Sequence, residues 1–278
     1  MALTKADSDK IIAFVKKEPC LVQDLSRHIG KSWVTTEAYV QKIAKDTGLI
    51  RVKAFREGTR GAVKIVFWDY SESLQADEAK SRIFEKIKLL SGKKEFDPFE
   101  IFQFVPPSKG KAYMEYYDDP AITSAKFVPF LRSAHEELLC FSGNISFINV
   151  VEGKTLVLDV VKELLERGVS IKIICRIDIA SMHNMDKISS LLKKFPKQLE
   201  IRHSAQPLRG FIIDGKKARL KDEKSRSDFK GKELDKDARI FYDIYDSDWI
   251  EWLERTFWYL FRTSGDFETR MKVLNNLV

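Results

Sequence analysis

One short segment of the chain places a cation and a carboxylate at the two ends of an apolar run. Arg209 stands five residues before Asp214 in the sequence Pro-Leu-Arg-Gly-Phe-Ile-Ile-Asp-Gly from 207 to 215. A guanidinium can hold a phosphate or another anion. Arg209 and Asp214 are therefore candidate anion or ligand contacts, with an ordinary pair of strand-end charges as the alternative.

A second group of residues suits contact with nucleic acid. The segment from Ser32 to about Thr47 is predicted to be a helix that Ser32 caps and Gly48 ends. We expect Val34, Ala38, Val40, Ile43 and Ala44 to form its packing face. Small polar and basic side chains would then face outward towards bases and phosphates: Lys31, Ser32, Thr35, Thr36, Tyr39 and Lys42.

Two arginines lie in a turn between two alternating apolar segments. Arg56 and Arg60 are separated by Glu-Gly-Thr and followed by Gly61. A ribbon tip with two arginines can reach a minor groove or phosphates. The alternatives for this whole region are a module for protein contacts and a module for RNA binding.

The elements that must position these residues fall into an N-terminal part and a larger C-terminal part. Helices over about 8–17, 21–29 and 32–47, followed by a two-stranded ribbon, have the order of a winged helix-turn-helix. We assign residues 1–70 to this domain. Residues 71–112 are predicted to be a linker, helical as far as Gly92 and then rich in proline; the Pro-rich segment 96–110 could equally belong to the second domain.

We assign residues 113–278 to the second domain, in which the sequence alternates between helix and strand patterns from about residue 124. This alternation predicts a sheet with helices on its faces. Lys216–Asp237 is crowded with Lys, Asp, Glu and Ser, and we interpret it as a long solvated loop. The expected fold class is therefore two-domain α/β, in which a helical linker joins the winged helix to an α/β/α sandwich.

The composition limits the classes of function. The net charge of +7, from 48 basic and 41 acidic residues in 278, is a mild excess that is compatible with a polyanionic partner. The three cysteines form no Cys-x-x-Cys or Cys/His cluster, so we expect no metal and no cofactor. No apolar run approaches the roughly 18 residues of a membrane span. We expect a soluble, cytoplasmic protein with free thiols and no membrane partner.

The segment around Arg209 resembles the phospholipase D signature, His-x-Lys-x-x-x-x-Asp, with Pro207, Arg209 and Asp214 at its three positions. The resemblance extends over roughly residues 124–264 and implies a phospholipase D-like α/β/α sandwich. In the enzymes the histidine takes the phosphoryl group and the lysine holds the anion. Pro207 cannot do the first, and none of His28, His135, His183 or His203 has a lysine two residues on. The resemblance thus implies a degenerate, catalytically inactive domain.

A winged helix joined by a helical linker to such a domain resembles the TrmB family of archaeal transcription regulators. This resemblance implies a C-terminal domain that senses a small-molecule effector or mediates assembly. We therefore expect a non-enzymatic regulator that binds double-stranded DNA, as a homodimer that matches a two-fold site. The rivals are a phosphodiesterase or nuclease of the phospholipase D superfamily, targeted by its winged helix, and a winged-helix module that docks on other proteins.

Overall fold

A computed structural model describes residues 3–55, 62–69, 75–116, 126–229 and 234–276. The N-terminal module (residues 3–69) is built from three helices and a small sheet. The helices are α1 (Lys5–Val15), α2 (Val22–Ile29) and α3 (Trp33–Thr47). The strands are β1 (Cys20–Leu21), β2 (Ile50–Phe55) and β3 (Val63–Trp68), and β3 lies between the other two in antiparallel pairing.

The rest of the chain forms a larger α/β part. Its helices are α4 (Gln75–Leu89), α5 (Phe99–Phe102), α6 (Phe127–Arg132), α7 (Val157–Glu166), α8 (Met182–Lys194), α9 (Ser247–Thr263) and α10 (Phe267–Asn275). Its strands are β4 (Gly110–Tyr116), β5 (Glu137–Phe141), β6 (Val151–Glu152), β7 (Thr155–Leu156), β8 (Ser170–Cys175), β9 (Leu199–His203), β10 (Gly210–Ile213), β11 (Lys217–Lys224), β12 (Ala238–Ile244) and β13 (Gly265–Asp266).

Eight of these strands form one mixed sheet in the order β13-β9-β8-β5-β10-β11-β12-β4. Strands β5, β8 and β9 are parallel, and β10, β11, β12 and β4 follow in antiparallel pairs. Alternate residues of β5 enter different cores: Leu138 and Cys140 belong to one buried cluster, and Leu139 and Phe141 to the other. The sheet is therefore covered on both faces, as the alternation of elements predicted.

The N-terminal module shares one of these cores with the large sheet. Phe55 and Ile65 of its small sheet lie in the same buried cluster as Phe99, Tyr242 and the α9 aromatic residues. A separate cluster, which includes Ile11, Leu25, Val40 and Ile43, holds α1, α2 and α3 together. The module thus has a small core of its own and a second apolar surface that the rest of the chain buries.

The segment that was expected to be a solvated loop contains a strand of the sheet. Residues 217–224 form β11, which pairs with β10 on one side and with β12 on the other. Its charged residues find partners: Arg219 pairs with Asp243 at 2.6 Å, and Lys224 pairs with Asp222 at 2.6 Å. The interpretation of 216–237 as a loop is therefore wrong for residues 217–224, because charge density indicates solvent exposure only where the charges have no partners nearby. Residues 225–229, which follow, belong to no strand of the sheet.

Smaller differences concern the ends of elements. Helix α1 begins after Thr4, whose side chain accepts a hydrogen bond from the Asp7 backbone N–H, and not at Ser8. The Pro-containing segment 96–110 includes the short helix α5. No helix in the described part of the chain is long and apolar enough to cross a membrane.

Candidate nucleic-acid interface

The candidate nucleic-acid interface centres on α3, whose two ends are fixed by local chemistry. The Ser32 hydroxyl accepts a hydrogen bond from the Thr35 backbone N–H at 3.2 Å. At the other end Gly48 has φ 66°, a left-handed conformation that glycine adopts without steric cost. Both ends of the helix agree with the sequence prediction.

The face of α3 that meets the core agrees with the expected one at Val40 and Ile43 and differs from it elsewhere. Thr36 is 0% exposed and its hydroxyl donates to the Ser32 carbonyl oxygen at 2.9 Å, while Tyr39 is 4% exposed. Together with Val40 and Ile43 these residues are spaced three and four apart, which places them on one side of a helix with 3.6 residues per turn. The expectation that Thr36 and Tyr39 face outward is therefore wrong.

The opposite side of α3 is open to solvent and carries residues that the sequence analysis missed. Val34 is 72% exposed, and Ala38, Gln41, Lys42 and Lys45 are exposed as well. Val34 and Ala38 were expected to pack, but they lie across the helix from Val40 and Ile43. Helical spacing counted from Val40 and Ile43 alone would have identified both the buried and the exposed residues.

The remaining predicted contact residues lie at the rim of this exposed face. Ser32 and Thr35 bind each other through their hydroxyl groups at 2.8 Å, and Ser32 is exposed while Thr35 is half-buried. Lys31 is half-buried just before the helix. Lys42 forms a 3.3 Å ion pair with Asp46 on the same helix. Arg56 and Arg60 lie outside the described residues.

An open groove of about 550 Å³ runs between α3 and the small sheet. Gln41 and Ala44 line it from the helix, and Arg51 and Val52 line it from β2. Lys64 at its floor is bonded to Glu37 and lies 5.2 Å from the centre of the Trp33 ring, and burial lowers the pKa of Lys64. Arg51 pairs with Asp69 at 2.9 Å.

Three lysines around α3 and the groove have no such partner. Within the described part of the chain no carboxylate lies within 4 Å of the ammonium groups of Lys31, Lys45 and Lys53. Lys45 and Lys53 are also exposed. An anionic partner can therefore contact these three lysines without first breaking an ion pair with a described carboxylate.

The two charges of the degenerate motif lie at opposite ends of β10. Asp214 has φ 51° and its side chain is 6% exposed. Its carboxylate accepts hydrogen bonds from the backbone N–H groups of Glu136 and Glu137 at 2.9 Å and of His135 at 3.0 Å. Burial by itself would raise the pKa of Asp214, but these bonds outweigh it and hold the pKa below its ordinary value. The carboxylate thus fastens the segment that leads into β5.

Arg209 lies at the other end of β10, beside the loop that follows β5. Its guanidinium donates to the carbonyl oxygens of Leu208 and Gln206 at 2.6 and 2.9 Å. Gly143 leaves room for it, because a Cβ at that position would lie 2.9 Å from the guanidinium nitrogens. Among the described residues no carboxylate lies within ion-pair distance of Arg209. Burial, with a smaller contribution from Arg176, lowers its pKa.

Two histidines of the large α/β part have different surroundings. Nδ1 of His203 accepts a hydrogen bond from the Ile177 backbone N–H at 2.9 Å, and burial lowers the pKa of this imidazole. His135 is exposed, with Nδ1 3.6 Å from the Asp214 carboxylate. The described residues contain no group of three or more His, Cys, Asp or Glu that could hold a metal ion.

Comparison with known proteins gives similar solved structures only. No protein-family model matches the chain, and no curated protein sequence matches it. The structure is similar to TrmBL2, an archaeal chromatin protein described as having a novel mode of DNA binding, with 14% identity, a TM-score of 0.41, and coverage of 95% of this chain and 94% of that one.

Two further solved structures are also similar to the chain. Nuc, a phospholipase D family member from Salmonella typhimurium, has 12% identity and a TM-score of 0.40 over 57% of this chain and 99% of its own. Phosphatidylserine synthase from Haemophilus influenzae Rd KW20 has 14% identity and a TM-score of 0.35 over 54% of this chain and 38% of its own. The chain is a mixed α/β protein that resembles both TrmBL2 and phospholipase D-like proteins, as its sequence indicated.

Proposed function

We propose that this chain is a double-stranded DNA-binding regulator that reads DNA with a winged helix-turn-helix formed by residues 1–70. One observation carries the proposal: the solvent face of α3 presents Val34, Ala38, Gln41, Lys42 and Lys45 on a helix whose other side forms the core. A helix fixed in this way can enter a major groove without unfolding anything. The order of helices and strands is that of a winged helix.

The chemistry of this face supports contact with bases and phosphates. The Gln41 amide can pair with an adenine edge, and Val34 and Ala38 can contact a thymine methyl group. Lys31, Lys42, Lys45 and Lys53 supply the phosphate contacts near the helix, and we assign Arg56 and Arg60 to the same task at the wing. Ser32 and Thr35 lie where the helix begins and can bind phosphate or a base edge.

The C-terminal part supports a regulatory rather than a catalytic role. Pro207 stands where the resemblance calls for a nucleophile, and Asp214 is occupied by three backbone N–H groups. Arg209 keeps a charge that can still bind an anionic effector. We propose that this part, beginning near residue 113 after a linker over 71–112, is catalytically inactive and joins two copies into a homodimer.

A titration of labelled duplex DNA tests the function directly. A single small module that binds mainly through phosphates gives a dissociation constant of about 10⁻⁴–10⁻⁶ M at physiological salt, and a dimer on its own site should bind more tightly. Duplex DNA should compete better than duplex RNA, since the deep, narrow major groove of A-form RNA does not admit a helix. Absence of duplex binding even at low salt would contradict the proposal and favour a protein-docking module.

A further inference from the structure

The N-terminal module contacts the rest of the chain at two main places, apart from a partly exposed ion pair of 3.0 Å between Glu18 and Lys86 of α4. The first is an aromatic seam, formed by Phe55 against Tyr242 at 6.2 Å and Phe67 against Phe99 at 4.9 Å between ring centres. These two ring contacts involve β2 and β3, and Leu21 of β1 packs against the same buried cluster. A module held at this seam alone could pivot about it, because a single apolar patch fixes position better than orientation.

The second attachment is a strap, which we define as residues 225–229 immediately after β11. The backbone carbonyl oxygen of Asp228 accepts hydrogen bonds from Gln23 Nε2 at 2.7 Å and from Arg27 Nη2 at 3.2 Å, both on α2. Phe229 is only 8% exposed and lines a small pocket together with Leu21 and Trp33. Because Trp33 is the first residue of α3, the strap meets the end of the helix that would read DNA.

The strap is held firmly by the large α/β part. The Asp237 carboxylate accepts from the Arg226 backbone N–H at 2.7 Å and from the Ser225 hydroxyl at 3.2 Å. Immediately before the strap, the ammonium group of Lys224 pairs with Asp222 at 2.6 Å and with Asp97 at 3.1 Å. The side chain of Lys224 is 14% exposed, so that these ion pairs are screened little by solvent.

We propose that the strap fixes the orientation of α2 and α3 relative to the large sheet, with Phe229 and Gln23 as its positioning residues. The seam holds the small sheet of the module, and the strap holds α2 and the start of α3. Together they prevent the rotation of the module that either contact alone would allow. A change in the large sheet that moves β11 would then turn α3 as well. Its consequence for DNA rests on the proposed function, but the orientation itself can be measured without DNA.

The test measures the spread of distances between the module and the large sheet by electron spin resonance. Spin labels are placed on Ala38→Cys in α3 and Lys193→Cys in α8, both exposed in the wild type, while the three native cysteines are buried. Phe229→Ala removes the apolar anchor, and Gln23→Met removes the donor at similar volume. Ser227→Ala is the matched control, because its exposed hydroxyl binds only Ser225 among the described residues.

We expect both strap variants to widen the distance distribution, by about twofold if the module swings about the seam. The Ser227→Ala protein should keep the wild-type width. An unchanged width in Gln23→Met and in Phe229→Ala, or equal widening in the control, would overturn the proposal. If Phe229→Ala does not fold, Gln23→Met alone decides. A widened distribution in the labelled variants, together with an unlabelled wild-type protein that binds no duplex, would leave the strap established and remove the DNA-binding function.

Discussion

The hydroxyl of Thr36 donates a hydrogen bond of 2.9 Å to the carbonyl oxygen of Ser32, one turn earlier in α3. This bond satisfies a polar group that is completely buried. It also identifies the inner side of the helix, because Tyr39, Val40 and Ile43 follow on the same side. The side available to a partner is consequently the one that carries Gln41 and Lys45.

Tyr39 and Gln41 are only two residues apart, yet we expect opposite effects from replacing them. Tyr39→Ala should lower the free energy of unfolding by about 3 kcal/mol, because it empties a packed core position. Gln41→Ala should leave the melting temperature within error and weaken binding to the preferred duplex by about 1–3 kcal/mol if the amide reads a base. Thermal melts and duplex titrations of both variants test this prediction. A Tyr39→Ala protein that stays stable but binds the duplex poorly would place Tyr39, and not Gln41, on the DNA-contacting face.

The wing provides an independent prediction. The double substitution Arg56→Ala with Arg60→Ala should lower the steepness of the salt dependence by about two for each bound protomer, one for each lost phosphate contact. Affinity at low salt should fall for every duplex, whatever its sequence. Titrations at several salt concentrations give the slope, and an unchanged slope would remove both arginines from the interface.

How much of this the sequence reveals depends on the kind of signal. Caps and left-handed glycines act locally, so Ser32 and Gly48 predicted the ends of α3 correctly. Which side of α3 is buried depends on the neighbouring helices. Val40 and Ile43 were assigned to that side correctly, whereas Val34 and Ala38 were assigned to it wrongly because they are apolar. Strand β11 was missed since Lys221 and Lys224 look solvated until Glu223 and Asp222 are seen beside them.

Asp214 makes a prediction about stability against pH. The pKa of Asp214 is lowered in the folded protein. The ionised carboxylate therefore contributes its full stabilisation above the pKa of the unfolded chain, which is about 4. This stabilisation is lost as the pH falls from there through the lower pKa of the folded protein. Asp214→Asn should cost about 1–3 kcal/mol at neutral pH, because the amide satisfies fewer of the three N–H donors. Denaturant melts should show that the variant loses less additional stability than the wild type below pH 4. Equal losses would assign the acid sensitivity to other carboxylates.

Phosphodiesterase activity distinguishes the regulator from its enzymatic rival. We expect no turnover of a chromogenic phosphodiester by the wild-type protein, because no nucleophile occupies position 207. Arg209→Ala and Asp214→Ala serve as controls for contaminating enzymes, which neither substitution can affect. Turnover that both substitutions abolish in folded protein would show that the domain is catalytic.

The central claim is that the exposed side of α3 meets the phosphates of duplex DNA, and the salt dependence of binding tests it most directly. Lys42→Ala with Lys45→Ala should reduce the slope of log affinity against log salt by about two for each bound protomer. The matched double variant Lys162→Ala with Lys193→Ala removes two exposed lysines from α7 and α8 and should keep the wild-type slope. If the α3 variant keeps the wild-type slope, or if both pairs lower it equally, α3 does not lie on the DNA.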